Sequence, residues 1–218
     1  MALAIFDLDE TLISADSDHA WGVFVADRGL VDAASHRATN EAFYNDYKRG
    51  DLDIFAYLRF ACSVLKDHSM DSLEILRAEF FEERIRPLIL PKAQALVERH
   101  RREGDSLLIV TATLEFVTAP IARYFDIPHL IAPIPEVRDG RYTGEIVGIP
   151  SFRDGKVLRT KAWLKAQKLS LYGSYFYTDS RNDLPLLEVV DFPTAVDPDP
   201  ELRRIATERK WPIISLRD

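Results

Sequence analysis

The chain has a single cysteine, Cys62, in 218 residues, so no disulfide can form within it. It has no apolar run near the roughly 20 residues that a membrane span requires. The N-terminus also lacks the basic region and cleavage site of a signal peptide. Basic charge is sparse: Lys and Arg number 28 against 35 Asp and Glu, for a formal charge of -7, and no Lys/Arg cluster is longer than a pair such as Arg101-Arg102 or Arg203-Arg204. A nucleic-acid surface ordinarily needs a basic patch, so neither a nucleic-acid nor a membrane partner is expected. These absences together lead to the expectation of a soluble, cytoplasmic protein. Cys62 sits in the apolar helical stretch Phe60-Ala61-Cys62-Ser63-Val64-Leu65 and reads as a small core residue rather than a nucleophile.

What is present is a globular composition, 47% hydrophobic, long enough for one large domain or a domain carrying a sizeable insertion. Residues 3–8 read as a buried strand ending in Asp7 and Asp9. A strand's period of two puts both carboxylates on one side, with Leu8 opposite. Their repulsion predicts a shared proton or a bound metal, unless the two aspartates merely cap backbone amides in a turn.

From about residue 19 to 86 there is almost no strand signal. Helical periodicity is expected over 20–28, 33–48, 51–65 and 71–84, punctuated by Gly29, Gly50 and Asp67-His68-Ser69, with Asp51 and Asp71 as N-caps. Four helices could bury their apolar faces on one another. The aromatics Trp21, Phe24, Phe43, Tyr44, Tyr47, Phe55, Tyr57, Phe60, Phe80 and Phe81 fall at roughly helical spacing and are read mostly as core.

After Pro87 the texture alternates. Helices are expected over 91–103, 115–124, 156–168, 183–190 and 200–209, and strands over 106–110, 130–131, 174–178, 193–196 and 213–214, with a hairpin at 136–142 turning on Asp139-Gly140. The predicted class is α/β: a Rossmann-like parallel sheet with helices on both faces, plus an all-helical cap inserted after the first strand. The expected boundaries are 1–15 and 87–218 for the core and 16–86 for the cap. In such sheets the site lies beyond the strands' carboxyl ends. Reading outward from each gives Asp7 and Asp9, then Thr111 and Thr113, then Asp179-Ser180, with Asn182 and Asp183 opening the next helix and Lys156 opening another after Gly155. Taken singly, Thr111 could be a helix N-cap, Lys156 a solvated helix lysine and Asp183 an N-cap.

In order along the chain, Asp7-Leu8-Asp9-Glu10-Thr11, Thr111, Lys156 and Asp179-Ser180-Arg181-Asn182-Asp183 resemble the four motifs of the haloacid dehalogenase superfamily. The insertion and the spacing from Thr143-Gly144 to Lys156 are similar to its phosphoserine-phosphatase-like branch. The resemblance implies a magnesium-dependent phosphomonoesterase. Asp7 would form an aspartyl phosphate and Asp9 would act as acid and base. Mg2+ would be held by Asp7, Asp179 and the main-chain oxygen of Asp9, Thr111 would bind a phosphoryl oxygen and Lys156 would neutralise charge. Thr113 and Asn182 would meet the substrate, and Asp183 would support the site. Thr113-Leu114 stands where that branch has a glycine pair, and Ser180-Arg181 replaces a Gly-x pair, so a bulkier, more polar rim is expected.

Specificity is expected from Ser14-Ala15-Asp16-Ser17-Asp18-His19-Ala20-Trp21. Asp16 lies where phosphoserine enzymes carry a glutamate that meets the substrate's amino group. The Asp-Ser-Asp-x-x-Trp stretch is similar to that of histidinol-phosphate phosphatases of the same branch. A small, amine-bearing ester is therefore expected, with histidinol phosphate first and phosphoserine or a phosphotransferase reaction as alternatives. Asp16 and Asp18 could instead cap a helix, and His19 reads as a surface residue. A non-enzymatic alternative is a receiver-like or inactive phosphate-binding module, although a receiver is about half this length and has no helical insertion after its first strand.

Overall fold

The computed structural model describes residues 2–217. Leu3, Ile5, Leu108, Val110 and Phe176 point to one face of a sheet, and Ala4, Phe6, Leu107, Ile109 and Tyr177 to the other, so alternation along each strand builds two cores. The six strands are β1 (Leu3–Phe6), β2 (Ser106–Val110), β3 (His129–Ile131), β6 (Tyr175–Thr178), β7 (Phe192–Val196) and β8 (Ile213–Ile214). Their order is β3-β2-β1-β6-β7-β8, and every pairing is parallel. Strand order reverses at β1, so the crevice past its carboxyl end is the place for a site.

On one face lie α7 (Asp154–Gln167), α8 (Leu184–Leu187) and α9 (Pro200–Arg209), burying Leu164, Leu186 and Leu202. On the other lie α5 (Pro91–Arg102) and α6 (Glu115–Tyr124), together with the segment between β1 and β2. That segment contains α1 (Ser17–Asp27), α2 (Ala33–Arg49), α3 (Ile54–Lys66) and α4 (Met70–Phe80). A π-turn, Phe81–Ile85, follows α4 and shortens the helix expected to residue 84. Pro120 inside α6 cannot bond the Phe116 carbonyl, which instead accepts from Arg77 of α4. No helix among the described residues is long and apolar enough to cross a membrane.

Several local expectations are corrected. Asp53, not Asp51, caps α3, accepting from the Phe55 and Ala56 amides, and Ser69, not Asp71, caps α4. The helix expected over 183–190 is a 3-10 turn, Arg181–Asp183, followed by the short α8, because Pro185 confines regular helix to its own first turn onward. The four inserted helices do not close only on themselves: α3 packs on the hairpin of β4 (Ile134–Arg138) and β5 (Arg141–Val147), whose turn is Asp139-Gly140.

Candidate active site

Asp7, Thr111 and Asp179 each follow directly on a strand, β1, β2 and β6, and these strands are neighbours in register, so the three side chains meet at one rim. The Asp7 amide donates to the Tyr177 carbonyl at 2.9 Å, which extends the ladder to the residue that carries the carboxylate.

Lys156 lies in the first turn of α7. Gly155 before it is obligatory, since a Cβ there would collide with the Pro150 carbonyl. The lysine is buried, and its Nζ donates to Asp7 Oδ1 at 2.8 Å and to Asp183 Oδ2 at 2.7 Å. Burial works against its charge, but Asp183 and Asp7 outweigh that and hold its pKa above the ordinary value. The Thr178 hydroxyl also donates to Asp183 Oδ2, at 2.7 Å. Lys156 is therefore not a solvated helix lysine. Asp183 stands at the N-cap position of α8, but its side chain makes no capping bond.

Burial, partly offset by Lys156 and reinforced by Asp183, pushes the Asp7 carboxyl up to about 7. Burial beside Asp7 and Asp183 likewise raises Asp179 well above the usual range. The Thr11 hydroxyl donates to Asp179 Oδ1 at 3.1 Å. Asp9 is pushed up to about 7 by burial and by Asp16, against the pull of three donors. The Ser17 amide and hydroxyl donate to its Oδ1 at 2.7 and 2.5 Å, and the Thr113 hydroxyl donates to Oδ2 at 2.7 Å. Thr113 thus turns its hydroxyl to Asp9. The Thr111 hydroxyl accepts from the Thr113 amide at 3.1 Å and donates to no described residue, while α6 is capped by Leu114 rather than by Thr111.

A cleft runs from Asp7, Asp9, Lys156 and Asp183 to Asp16 and Asp18. Asp16 caps α1, accepting from the His19 amide at 2.7 Å, and burial raises it to about 6. Asp18 is buried in the same helix and caps nothing. The His19 ring is at 3.2 Å from Glu41 at the cleft's edge. Asn182 faces the insertion: its Oδ1 accepts from Arg153 Nε and its Nδ2 donates to the Tyr47 carbonyl, both at 3.3 Å. Ser180 also meets Tyr47, whose hydroxyl donates to Ser180 Oγ at 3.2 Å. The polar rim expected at 180–181 is thus a set of contacts to α2.

Two features were not legible in the sequence. Ser17 is bonded to the cleft residue Asp9, and an aromatic wall lines the cleft: the reading of the aromatics as core holds for Trp21, Phe24 and Phe80, whereas Phe43, Tyr44, Tyr47 and Tyr57 line it. The Asp-Ser-Asp string was a signal for Ser17. An amphipathic helix, in contrast, gives no sign of whether its apolar stripe meets a core or a ligand.

Among the described residues, one group of three His, Cys, Asp or Glu side chains has ligand atoms within 4.8 Å of one another: His100, Glu103 and Asp105. It lies outside the cleft and is accounted for by hydrogen bonds, His100 Nδ1 being 2.9 Å from Asp105 Oδ2. At the rim, Lys156 pairs with Asp7 and Asp183, while Asp179, whose carboxyl is raised by Asp7 and Asp183, and Asp9, which accepts only from Ser17 and Thr113, add two further carboxylates with no cation of their own among the described residues. Hard oxygen donors with surplus negative charge in a buried setting fit a magnesium ion.

A sequence profile of the haloacid dehalogenase-like hydrolases matches residues 4–188. A histidinol-phosphatase of Neisseria meningitidis is 46% identical over 219 residues, covering 99% of each chain. A solved structure of a protein of unknown function from Bordetella pertussis is 47% identical, with a TM-score of 0.93, covering 99% of this chain and 98% of that one. A substrate-bound phosphoserine phosphatase shares the fold at 17% identity, with a TM-score of 0.72, over 99% of this chain and 93% of its own.

Proposed function

The chain belongs to the haloacid dehalogenase-like hydrolase family, as a phosphatase of it, and from that premise we propose that it hydrolyses a small, amine-bearing phosphate monoester, histidinol phosphate first, through an aspartyl phosphate on Asp7. One observation carries the reaction. Asp7, fixed by Lys156, and Asp9, whose carboxyl is pushed up to about 7, open on the same cleft. The relative named a histidinol-phosphatase supports the substrate.

In the first half-reaction an Asp7 carboxylate oxygen attacks phosphorus, the phosphorus–ester oxygen bond breaks, and Asp9 gives its proton to the departing alkoxide. In the second, Asp9 takes a proton from water, the water oxygen attacks phosphorus, and the bond to Asp7 breaks to release phosphate. A pKa near working pH suits Asp9 to both roles. Lys156 orients Asp7 and offsets charge on the phosphoryl oxygens, and the free hydroxyl hydrogen of Thr111 is available to one of them. Asp183 holds Lys156, and Asn182 ties the rim to α2. Mg2+, held by Asp7, Asp179 and the main-chain oxygen of Asp9, would supply positive charge against the phosphoryl group. Residues 16–86 would act as a cap that excludes water during transfer. We also propose a cytoplasmic location, consistent with a small-molecule substrate and a lone buried thiol.

Purified protein with Mg2+ should release phosphate from histidinol phosphate faster than from phosphoserine, and Asp7→Asn should abolish release. Absence of phosphate release from both substrates and from para-nitrophenyl phosphate would overturn the reading. Transfer of phosphate to an added alcohol in preference to water would turn it into a phosphotransferase.

A further inference from the structure

Asp18 is 4% exposed, and neither of its carboxylate oxygens has a hydrogen-bond partner among the described residues. It nevertheless lines the cleft. The acids around it are occupied: Asp16 caps α1 through the His19 amide, and Asp9 accepts from Ser17 and Thr113. The Tyr57 phenol and the Leu114 amide lie near Asp18 without completing a bond to it. A bare buried carboxylate costs stability, and a fold retains one only where something other than stability favours it. Burial and the neighbouring Asp16 push its carboxyl up to about 8, the shift expected of an acid with no counter-ion.

No side chain of the cleft answers that charge. Lys156 is committed to Asp7 and Asp183, and the His19 ring is turned to Glu41. The wall of the cleft that Asp18 lines is largely apolar and aromatic, including Phe43, Tyr44, Leu52, Ile54 and Tyr57, the last of these beside Asp18 itself. Such a wall lowers the local dielectric, strengthens a charge pair formed against it, and offers faces for a flat or cationic group.

We propose that Asp18 is the specificity-determining residue of the cleft: its carboxylate receives a protonated amine or imidazolium on the alcohol half of the substrate, selecting cationic phosphate esters over neutral ones. For the phosphoryl end this rests on the phosphatase reading. The cationic end rests on Asp18 itself. Ser17, the adjacent residue, is bonded to Asp9, so the leaving-group acid and the cation subsite share the first turn of α1. A short spacer between ester oxygen and cation, as in an amino alcohol, matches that arrangement. The subsite is assigned to Asp18 before Asp16, one of whose carboxylate oxygens already accepts from the His19 amide at the helix cap.

The test compares wild type with Asp18→Asn on two cationic esters, histidinol phosphate and phosphoethanolamine, and two with neutral alcohol halves, para-nitrophenyl phosphate and glycerol 3-phosphate. The ratio of kcat/KM on cationic to neutral esters should fall about a hundredfold in the variant, mainly through KM. An unchanged ratio overturns the assignment. A second readout needs no turnover: histidinol, which carries no phosphate, should raise the Tm of the wild type and not that of Asp18→Asn. Equal shifts overturn the assignment. If the wild type releases phosphate from no ester, the phosphatase reading fails while the histidinol shift still decides Asp18. At neutral pH the unliganded variant should melt higher than the wild type, because Asn does not have to hold a proton that the unfolded chain gives up, and a lower Tm would give Asp18 to the fold instead. Should Asn not fold there, Asp18→Ser allows the same comparison.

Discussion

Ser17 holds Asp9 twice, donating its backbone amide at 2.7 Å and its hydroxyl at 2.5 Å to the same carboxylate oxygen. Ser17 is the first residue of α1 and Asp9 follows the central strand, so the insertion reaches into the core and fixes the side chain to which we give proton transfer. Motion of α1 away from the sheet would release Asp9. Closure of the insertion over the cleft, as proposed above, would therefore set the acid/base geometry as well.

Ser17→Ala removes one of the two donors and leaves the amide in place. A hydrogen bond to a charged group contributes about 1.5–3 kcal/mol, so kcat should fall about 10- to 100-fold. The loss should be larger on an alkyl ester than on para-nitrophenyl phosphate, whose leaving group needs little protonation. Steady-state kinetics on the two substrates measure this. Equal losses would assign the hydroxyl to folding instead of to Asp9.

Removal of divalent metal should abolish activity and lower stability together. Lys156 answers Asp7 and Asp183 and leaves Asp179 beside them without a cation among the described residues, and a cation binding only the folded state stabilises it in proportion to RT ln(1 + [L]/Kd), about 2.7 kcal/mol at 100-fold excess over Kd. Thermal melts with EDTA and with added Mg2+ should differ by several degrees for the wild type and far less for Asp179→Asn. A magnesium-independent Tm with full activity in EDTA would remove the metal from the site.

The metal-free, unliganded protein should lose stability as pH rises. Asp18 has its folded pKa raised from 3.8 to about 8 by burial and by Asp16, so between those values the folded state keeps a proton that the unfolded chain has given up. The fold is favoured at the acid end of that window and progressively less so toward pH 8, Asp18 contributing a slope of at most about 1.4 kcal/mol per pH unit. Asp7, Asp9 and Asp16 shift the same way, to about 7, 7 and 6. The groups facing Asp18 are Asp16, Asp9, the Tyr57 phenol and the Cys62 thiol, and none is a cation. Urea unfolding in EDTA at pH 5, 6.5 and 8 should show a falling midpoint, with a shallower fall in Asp18→Asn. Parallel profiles for the two proteins would contradict it.

Much of this was written locally in the chain. Buried apolar strands that stop at Asp7, Thr111 and Asp179 announce both a parallel sheet and a rim of polar groups, and the Asp139-Gly140 turn appears where its type demands. Other features depend on what tertiary structure places opposite. Asp16 and Asp18 are equivalent as residue types, and only the position of the His19 amide makes one a cap and the other bare. Tyr44 and Tyr57 carry the same helical period as Trp21, yet face a cleft. Likewise, nothing in 54–66 announces that α3 packs on a hairpin formed some 80 residues later.

Away from the cleft, Tyr177 offers a test of the opposite kind, in stability without activity. Its hydroxyl lies 2.9 Å from Nε2 of the fully buried His100 and accepts from Arg99 at 3.1 Å, while His100 Nδ1 meets Asp105 at 2.9 Å and Asp105 accepts from the Ala2 amide at 2.9 Å. Asp105 fixes the imidazole with its proton on Nδ1, which leaves Nε2 to accept from the phenol. Tyr177→Phe keeps the ring that stacks on Phe6, and the main-chain carbonyl that receives the Asp7 amide, but strips Nε2 of its nearer donor and leaves it only Arg99 Nη2, at 3.4 Å. Loss of one buried hydrogen bond costs about 0.5–1.5 kcal/mol, so Tm should fall by roughly 2–4 °C for each kcal/mol lost, with kcat/KM at 25 °C unchanged within about twofold. If His100, Glu103 and Asp105 were instead a metal site, added zinc would shift the wild-type Tm and depend on His100. The hydrogen-bond account expects no such His100-dependent shift, and calorimetry of the wild type, Tyr177→Phe and His100→Asn with and without zinc separates the two.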